Sequence, residues 1–258
     1  MNFEACLLDY GNTIVEFDER QFKFVHDRLA AALSRLVGPV DPEGVLEGLD
    51  EICKAPFAGD PPDYREITPI GQMELLLDHL YGYDPRRPEP LVRKCNDVLQ
   101  EIFVKSISID EATVEFLSGL SRRLPVGLVS NYPCGPSLRR SLRETSIFDF
   151  LNPIVVSGDI GFVKPHARPF LAALEALRLP PENVLFVGDR WDADMLGAGR
   201  LGLKTCHHLG FTSDLDLKDR YEIYRPDYRI TRIEELEGIL DHEPDCLFRK
   251  IVGDSDSW

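Results

Sequence analysis

Five short apolar runs punctuate the chain, each closing on a polar or glycine-containing turn. They are ACLLDYG (5–11), PVGLVSNYP (125–133), NPIVVSGD (152–159), NVLFVGDR (183–190) and GLKTCHHLG (202–210), with a briefer sixth at Tyr228 to Ile230. Runs that stay apolar instead of alternating predict strands buried on both faces, the habit of a parallel sheet. Between and after them lie stretches of helical period: EATVEFLSGLSRRL, GPSLRRSLRET, ARPFLAALEALRL, DADMLGAGRLG and EELEGIL. Those that separate strands predict crossover helices. The pattern reads as an α/β fold with a Rossmann-like parallel sheet.

The alternation breaks once. From about Asp18 to Ser108 only helical patterns occur: DERQFKFVHDRLAAALSRLVG, PEGVLEGLDEICKAP, TPIGQMELLLDHLYG and PEPLVRKCNDVLQEIFVKS. Asp18 followed three residues later by Gln21 is a capping-box signature for the first of them. APFAGDPPDYREITP reads as a loop inside this block. The organisation expected is a core of residues 1–15 and 109–241, an all-helical insert of residues 16–108 after the first strand, and a tail of residues 242–258.

Composition narrows the function classes. Lys plus Arg number 29 and Asp plus Glu 44, a formal net charge of −15, which disfavours a nucleic-acid binder needing a basic face. The 6 cysteines are scattered without a C-x-x-C pair and read as reduced thiols. No stretch approaches the roughly 18 apolar residues of a membrane span, and the N-terminal run is too short for a secretory signal. A cytoplasmic protein without membrane partners is expected; the pattern carries no signal for an oligomeric state.

In an open parallel sheet, ligands sit beyond the C-terminal strand ends. The first run ends at Asp9 and the second at Ser130 and Asn131, Lys164 follows the third, and the fourth ends at Gly188–Asp189 with Asp194 five residues on. Carboxylates sharing a crevice require a cation between them, and oxygen ligands suit Mg²⁺. The motifs D-x-x-x-T (Asp9 to Thr13), Ser130, Lys164–Pro165 and G-D-x-x-x-x-D (Gly188 to Asp194) together resemble the haloacid dehalogenase-like (HAD) superfamily of hydrolases, in the form whose helical C1-type cap follows the first strand.

That resemblance implies a Mg²⁺-dependent phosphatase acting on a small phosphorylated metabolite. Asp9 would be the nucleophile that becomes an aspartyl-phosphate. Lys164 would neutralise Asp9 and the transferring group, and Ser130 would hold the phosphoryl oxygens with backbone N–H groups around Asn131. Asp9, Asp189, Asp194 and the carbonyl of Gly11 would hold the metal, and Thr13 would brace the loop by hydrogen bonding.

One position departs from the family. Phosphatases of this kind usually carry a second Asp two residues after the nucleophile, which protonates the leaving group; here that residue is Gly11, followed by Asn12 where glycine is common. Asn tolerates the left-handed conformation, so the turn can form. Glu16 is a candidate substitute acid. Without one, leaving groups that need no proton, as in acyl or aryl phosphates, should be favoured. Alternatives remain: a 2-haloacid dehalogenase, whose Ser-Asn pair Ser130–Asn131 matches but which needs no Asp189/Asp194 pair; a C–P hydrolase drawing on Lys23, Lys54, Lys94 or Lys105; and a non-catalytic phosphate- or partner-binding protein. His207 and His208 read as structural or surface residues, Asp192 as solvated or capping, Arg139 and Arg140 as a solvated helix face, and Trp191 as either rim or packing.

Overall fold

A computed structural model describes residues 3–17, 19–211 and 217–241. Asp18, read as a helix cap, and the tail at 242–258 lie outside the described residues. The elements run β1 (Ala5–Leu8), α1 (Glu19–Leu36), α2 (Pro42–Lys54), α3 (Pro69–Tyr81), α4 (Glu89–Ser106), α5 (Glu111–Ser121), β2 (Val126–Ser130), α6 (Gly135–Glu144) and β3 (Ile154–Val156). They continue with α7 (Ser157–Ile160), α8 (Ala167–Leu177), β4 (Val184–Gly188), α9 (Leu196–Arg200), β5 (Lys204–His208), α10 (Leu217–Ile223), β6 (Tyr228–Ile230) and α11 (Leu236–Asp241). All six apolar runs form strands, in one parallel sheet of order β3-β2-β1-β4-β5-β6. The sequence pattern missed the single-turn α7 and the short α10, neither long enough to display a helical period.

The unbroken apolar run of β1 follows from its central place. Cys6 and Leu8 enter one core cluster and Ala5 and Leu7 the other, each fully buried, so neither face can be polar. Each buried leucine contributes roughly 1.5–3 kcal/mol relative to exposure. The strand order reverses direction at β1, flanked by β2 and β4, and such a switch point opens a crevice at the C-terminal edge.

Helices α1 to α4 pack on one another around their own cluster, which includes Leu29, Leu33, Val45, Met73, Leu77 and Val92. Their starts are chemically marked. Asp41 Oδ1 accepts from the N–H of Glu43 at 3.1 Å and Thr68 Oγ1 from that of Gly71 at 3.1 Å, each cap being followed by a proline that cannot donate. The 55–68 loop crosses to the sheet side, where Val163 donates to Tyr64 O at 2.9 Å and Glu66 to Gly161 O at 3.1 Å. The five cysteines among the described residues are free thiols.

Candidate active site

Strand register gathers the chemistry. Leu8 pairs with Leu128 on one side and Val187 on the other, so Asp9 emerges between the ends of β2 and β4. Its N–H donates to Val187 O at 2.8 Å, continuing the ladder one step and fixing the turn. Lys164 enters from the loop ahead of α8. It is 1% exposed, and its Nζ lies 2.6 Å from both Asp9 Oδ1 and Asp194 Oδ1. Burial works to lower the lysine pKa, but the charges of Asp194 and Asp9 outweigh it and hold the group above its ordinary value as an ammonium.

Asp194 reaches the same point because the chain makes a wide π-helical turn over Trp191–Met195, a distortion often found at functional sites. Its N–H donates to Arg190 O at 2.8 Å and its Oδ2 accepts from the Arg190 N–H at 3.0 Å. Gly188 makes room for it. A Cβ there would stand 2.4 Å from Asp194 Oδ2, so only glycine lets this carboxylate lie against the strand end.

One oxygen from each of Asp9, Asp189 and Asp194 lies within 4.8 Å of the other two. Three carboxylates face one ammonium, and the surplus negative charge is felt. Burial, then the charges of Asp9 and Asp194, push Asp189 up to about 8. Burial pushes Asp194 up to about 6 against the pull of Lys164. Asp194 Oδ1 is buried and, despite its ion-pair distance to Lys164, receives no aligned hydrogen bond. A buried carboxylate oxygen with no aligned hydrogen bond, in an all-oxygen donor set, fits a hard divalent cation such as Mg²⁺.

The remaining candidates divide. Ser130 ends β2 at this edge and is 5% exposed. The Asn131 side chain is engaged elsewhere: its Oδ1 accepts from the Lys164 N–H at 2.7 Å and its Nδ2 donates to Lys164 O at 3.0 Å. It therefore fixes the lysine's backbone, leaving its own main chain for any phosphate contact. Thr13 does not brace the loop as expected, because its buried Oγ1 has no partner. Within the turn, Tyr10 O accepts from the N–H groups of Ile14 and Val15, and Val15 O from that of Asn12. Asn12 does the bracing, at φ 53° with its Oδ1 accepting from the Phe17 N–H at 2.8 Å. Beside Gly11 a Cβ would meet no atom within 4 Å other than those of its chain neighbours, and Glu16 is exposed, so among the described residues no side chain is packed against that position.

Other residues resolve into support. Trp191 is buried and donates from Nε1 to Tyr224 O at 3.0 Å, so it packs. Asp192 accepts from Arg190 and from the N–H of Ala193. Arg190 also lies 5.0 Å from the centroid of the Phe57 ring, reaching from the sheet edge to the helical block. Arg139 pairs with Asp159, and Arg140 with Glu101 and Glu144, so both are tied in ion pairs. His207 and His208 are both buried. No residue-type signal marked His207, which was visible only as a polar residue near the end of an apolar strand; its Nε2 lies 2.7 Å from Asp189 O.

In an open parallel sheet the switch point at the C-terminal strand ends is where ligands bind, and here it holds the acidic cluster and the buried lysine. A family model for haloacid dehalogenase-like hydrolases matches residues 3–202, and the chain belongs to that family. It is 38% identical over 96 residues to a glyceraldehyde 3-phosphate phosphatase of Pyrococcus furiosus, covering 37% of this chain and 39% of that protein. It is 31% identical over 134 residues to the HAD-hydrolase YfnB of Bacillus subtilis, covering 52% and 54%. These alignments thus span about half or less of either curated relative. The YfnB structure bound to magnesium superposes with TM-score 0.65 at 21% identity, covering 94% of this chain and 100% of that one. A 2-haloacid dehalogenase of Pseudomonas syringae pv. Tomato superposes with TM-score 0.70 at 19% identity, covering 93% and 98%. These superpositions show a shared fold. No helix among the described residues is long and apolar enough to cross a membrane.

Proposed function

We propose that the protein is a Mg²⁺-dependent phosphohydrolase acting on a small phosphorylated metabolite through an aspartyl-phosphate on Asp9. The observation that carries this reading is the cluster of Asp9, Asp189 and Asp194 oxygens within 4.8 Å, with the Lys164 ammonium 2.6 Å from two of the three residues. The names of the P. furiosus phosphatase and of magnesium-bound YfnB support it. Residues 1–15 and 109–241 form the core that carries the chemistry, and residues 16–108 act as the cap that selects the substrate.

In this reading Lys164 holds Asp9 Oδ1, which leaves Oδ2 to attack phosphorus. The bond from phosphorus to the leaving oxygen breaks, and that oxygen takes its proton from solvent. Water then attacks the phosphorus of the acyl phosphate, releasing inorganic phosphate and restoring Asp9. Lys164 and the Ser130 hydroxyl stabilise the transferring oxygens throughout. Asp9, Asp189, Asp194 and the Gly11 carbonyl would hold the cation, which when bound neutralises phosphoryl charge as a Lewis acid. Because Gly11 offers no acid, substrates with good leaving groups, acyl or aryl phosphates, are turned over best.

The test is phosphate release from acetyl phosphate and an aryl phosphate with and without Mg²⁺. Mg²⁺-dependent release that Asp9→Asn abolishes is the expected result. Halide release from 2-haloacids without metal would replace this reading with the dehalogenase one. Binding of Mg²⁺ and phosphate with no turnover would leave a non-catalytic binder.

A further inference from the structure

One peptide unit in the site is gripped from both ends. The carbonyl of Asp189 and the N–H of Arg190 belong to the same amide. His207 Nε2 lies 2.7 Å from the Asp189 oxygen, and the Arg190 N–H donates to Asp194 Oδ2 at 3.0 Å. A carbonyl can only accept, so Nε2 carries the proton. In the neutral ring Nδ1 is then the acceptor, and the Tyr221 hydroxyl lies 2.8 Å from it. The chain runs from Tyr221 O–H to His207 Nδ1, from His207 Nε2–H to the Asp189 carbonyl, and from the Arg190 N–H to the Asp194 carboxylate. All its dipoles point one way, with the positive end on an anion. Hydrogen bonds in such series polarise and strengthen one another, most of all away from water. Two members are out of water: His207 is fully buried and Asp194 is 1% exposed.

We propose that His207 and Tyr221 are positioning residues for the metal site. Through the Asp189–Arg190 peptide they hold Asp194 by Oδ2, so that Oδ1, the buried oxygen without an aligned hydrogen bond, stays turned toward Asp9 and Lys164. The same bond anchors the main chain of Asp189, the third carboxylate of the cluster. One relay therefore sets two of the three acidic residues, although neither His207 nor Tyr221 is a member of that cluster. Tyr221 is itself held, with the Arg229 guanidinium carbon 5.7 Å from its ring centroid. This inference rests on the proposed metal site and adds to it the residues that orient the ligands.

The experiment measures Mg²⁺ binding alone, by calorimetric titration of the full chain, with thermal unfolding of the metal-free protein as a parallel control. Loss of a residue that orients a ligand typically weakens metal binding 10- to 100-fold. His207→Leu should show a loss of about that size, and His207→Gln, which keeps an amide donor, should recover most of it. Tyr221→Phe removes only the hydroxyl and should weaken binding several-fold with unfolding unchanged; it decides the matter if the leucine variant does not fold. Added to His207→Leu, it should cost nothing further. Native Mg²⁺ affinity in both His207→Leu and Tyr221→Phe overturns the relay while leaving the metal site standing. Failure of the native protein to bind Mg²⁺ at all overturns the metal site and this inference with it.

Discussion

In the proposed mechanism, Gly11→Asp supplies a general acid that residue 11 cannot. The backbone admits the change: an ideal Cβ at residue 11 meets no atom within 4 Å, and Gly11 is not among the positive-φ glycines. The new carboxylate joins three others near one ammonium. At an effective dielectric of about 20, each unit charge about 7 Å away raises the cost of ionising it by roughly 2 kcal/mol before the cation is counted. That repulsion moves the carboxyl upward, toward the range in which a general acid is protonated and ready. General acid help of about 10²- to 10⁴-fold corresponds to roughly 3–5 kcal/mol off the barrier. The assay is kcat/KM across phosphate monoesters of graded leaving-group pKa, at fixed Mg²⁺. The native protein should show a steep fall in rate as leaving-group pKa rises. Gly11→Asp should flatten that slope, gaining about 10²-fold or more on alkyl phosphates and little on aryl ones. A native slope already flat, or a folded, Mg²⁺-binding Gly11→Asp variant with the native slope, would refute the reasoning.

Lys164→Met should destabilise the metal-free protein by about 3–5 kcal/mol, because it leaves two buried carboxylates without their cation, and urea unfolding should recover part of that loss when Mg²⁺ is added. Gly188→Ala should abolish Mg²⁺ binding with a modest loss of thermal stability, since its Cβ would displace Asp194 Oδ2 from 2.4 Å. The pH dependence has a definite sign: Asp189 and Asp194 are held at about 8 and about 6, above their ordinary 3.8, so the fold favours their protonated forms. The contribution is fully present below about pH 4 and lost as pH rises through about 8, so metal-free thermal stability should drop across that window and saturating Mg²⁺ should remove the drop.

What could be read in advance follows from the physics of each contact. The strands were legible because a central parallel strand has no polar face, so β1, β2 and β4 show as plain apolar runs. Asp9 and Asp189 were legible because such a sheet presents its chemistry where those runs stop, and Lys164 and Asp194 because Lys164–Pro165 and G-D-x-x-x-x-D resemble motifs of the family. The supporting contacts were not, because they join side chains to main-chain atoms across long separations. Asn131 holds the backbone of Lys164, and His207 the carbonyl of Asp189. Register decides such bonds: β4 pairs with β5 so that Gly188 faces His207, and a slip of one residue would turn that ring to the other face of the sheet. Thr13 illustrates the converse, since its residue type promised a hydrogen bond and its buried Oγ1 finds no partner. Residue types at strand ends thus report which groups can react. The orientation of those groups is written in the pairing of neighbouring strands.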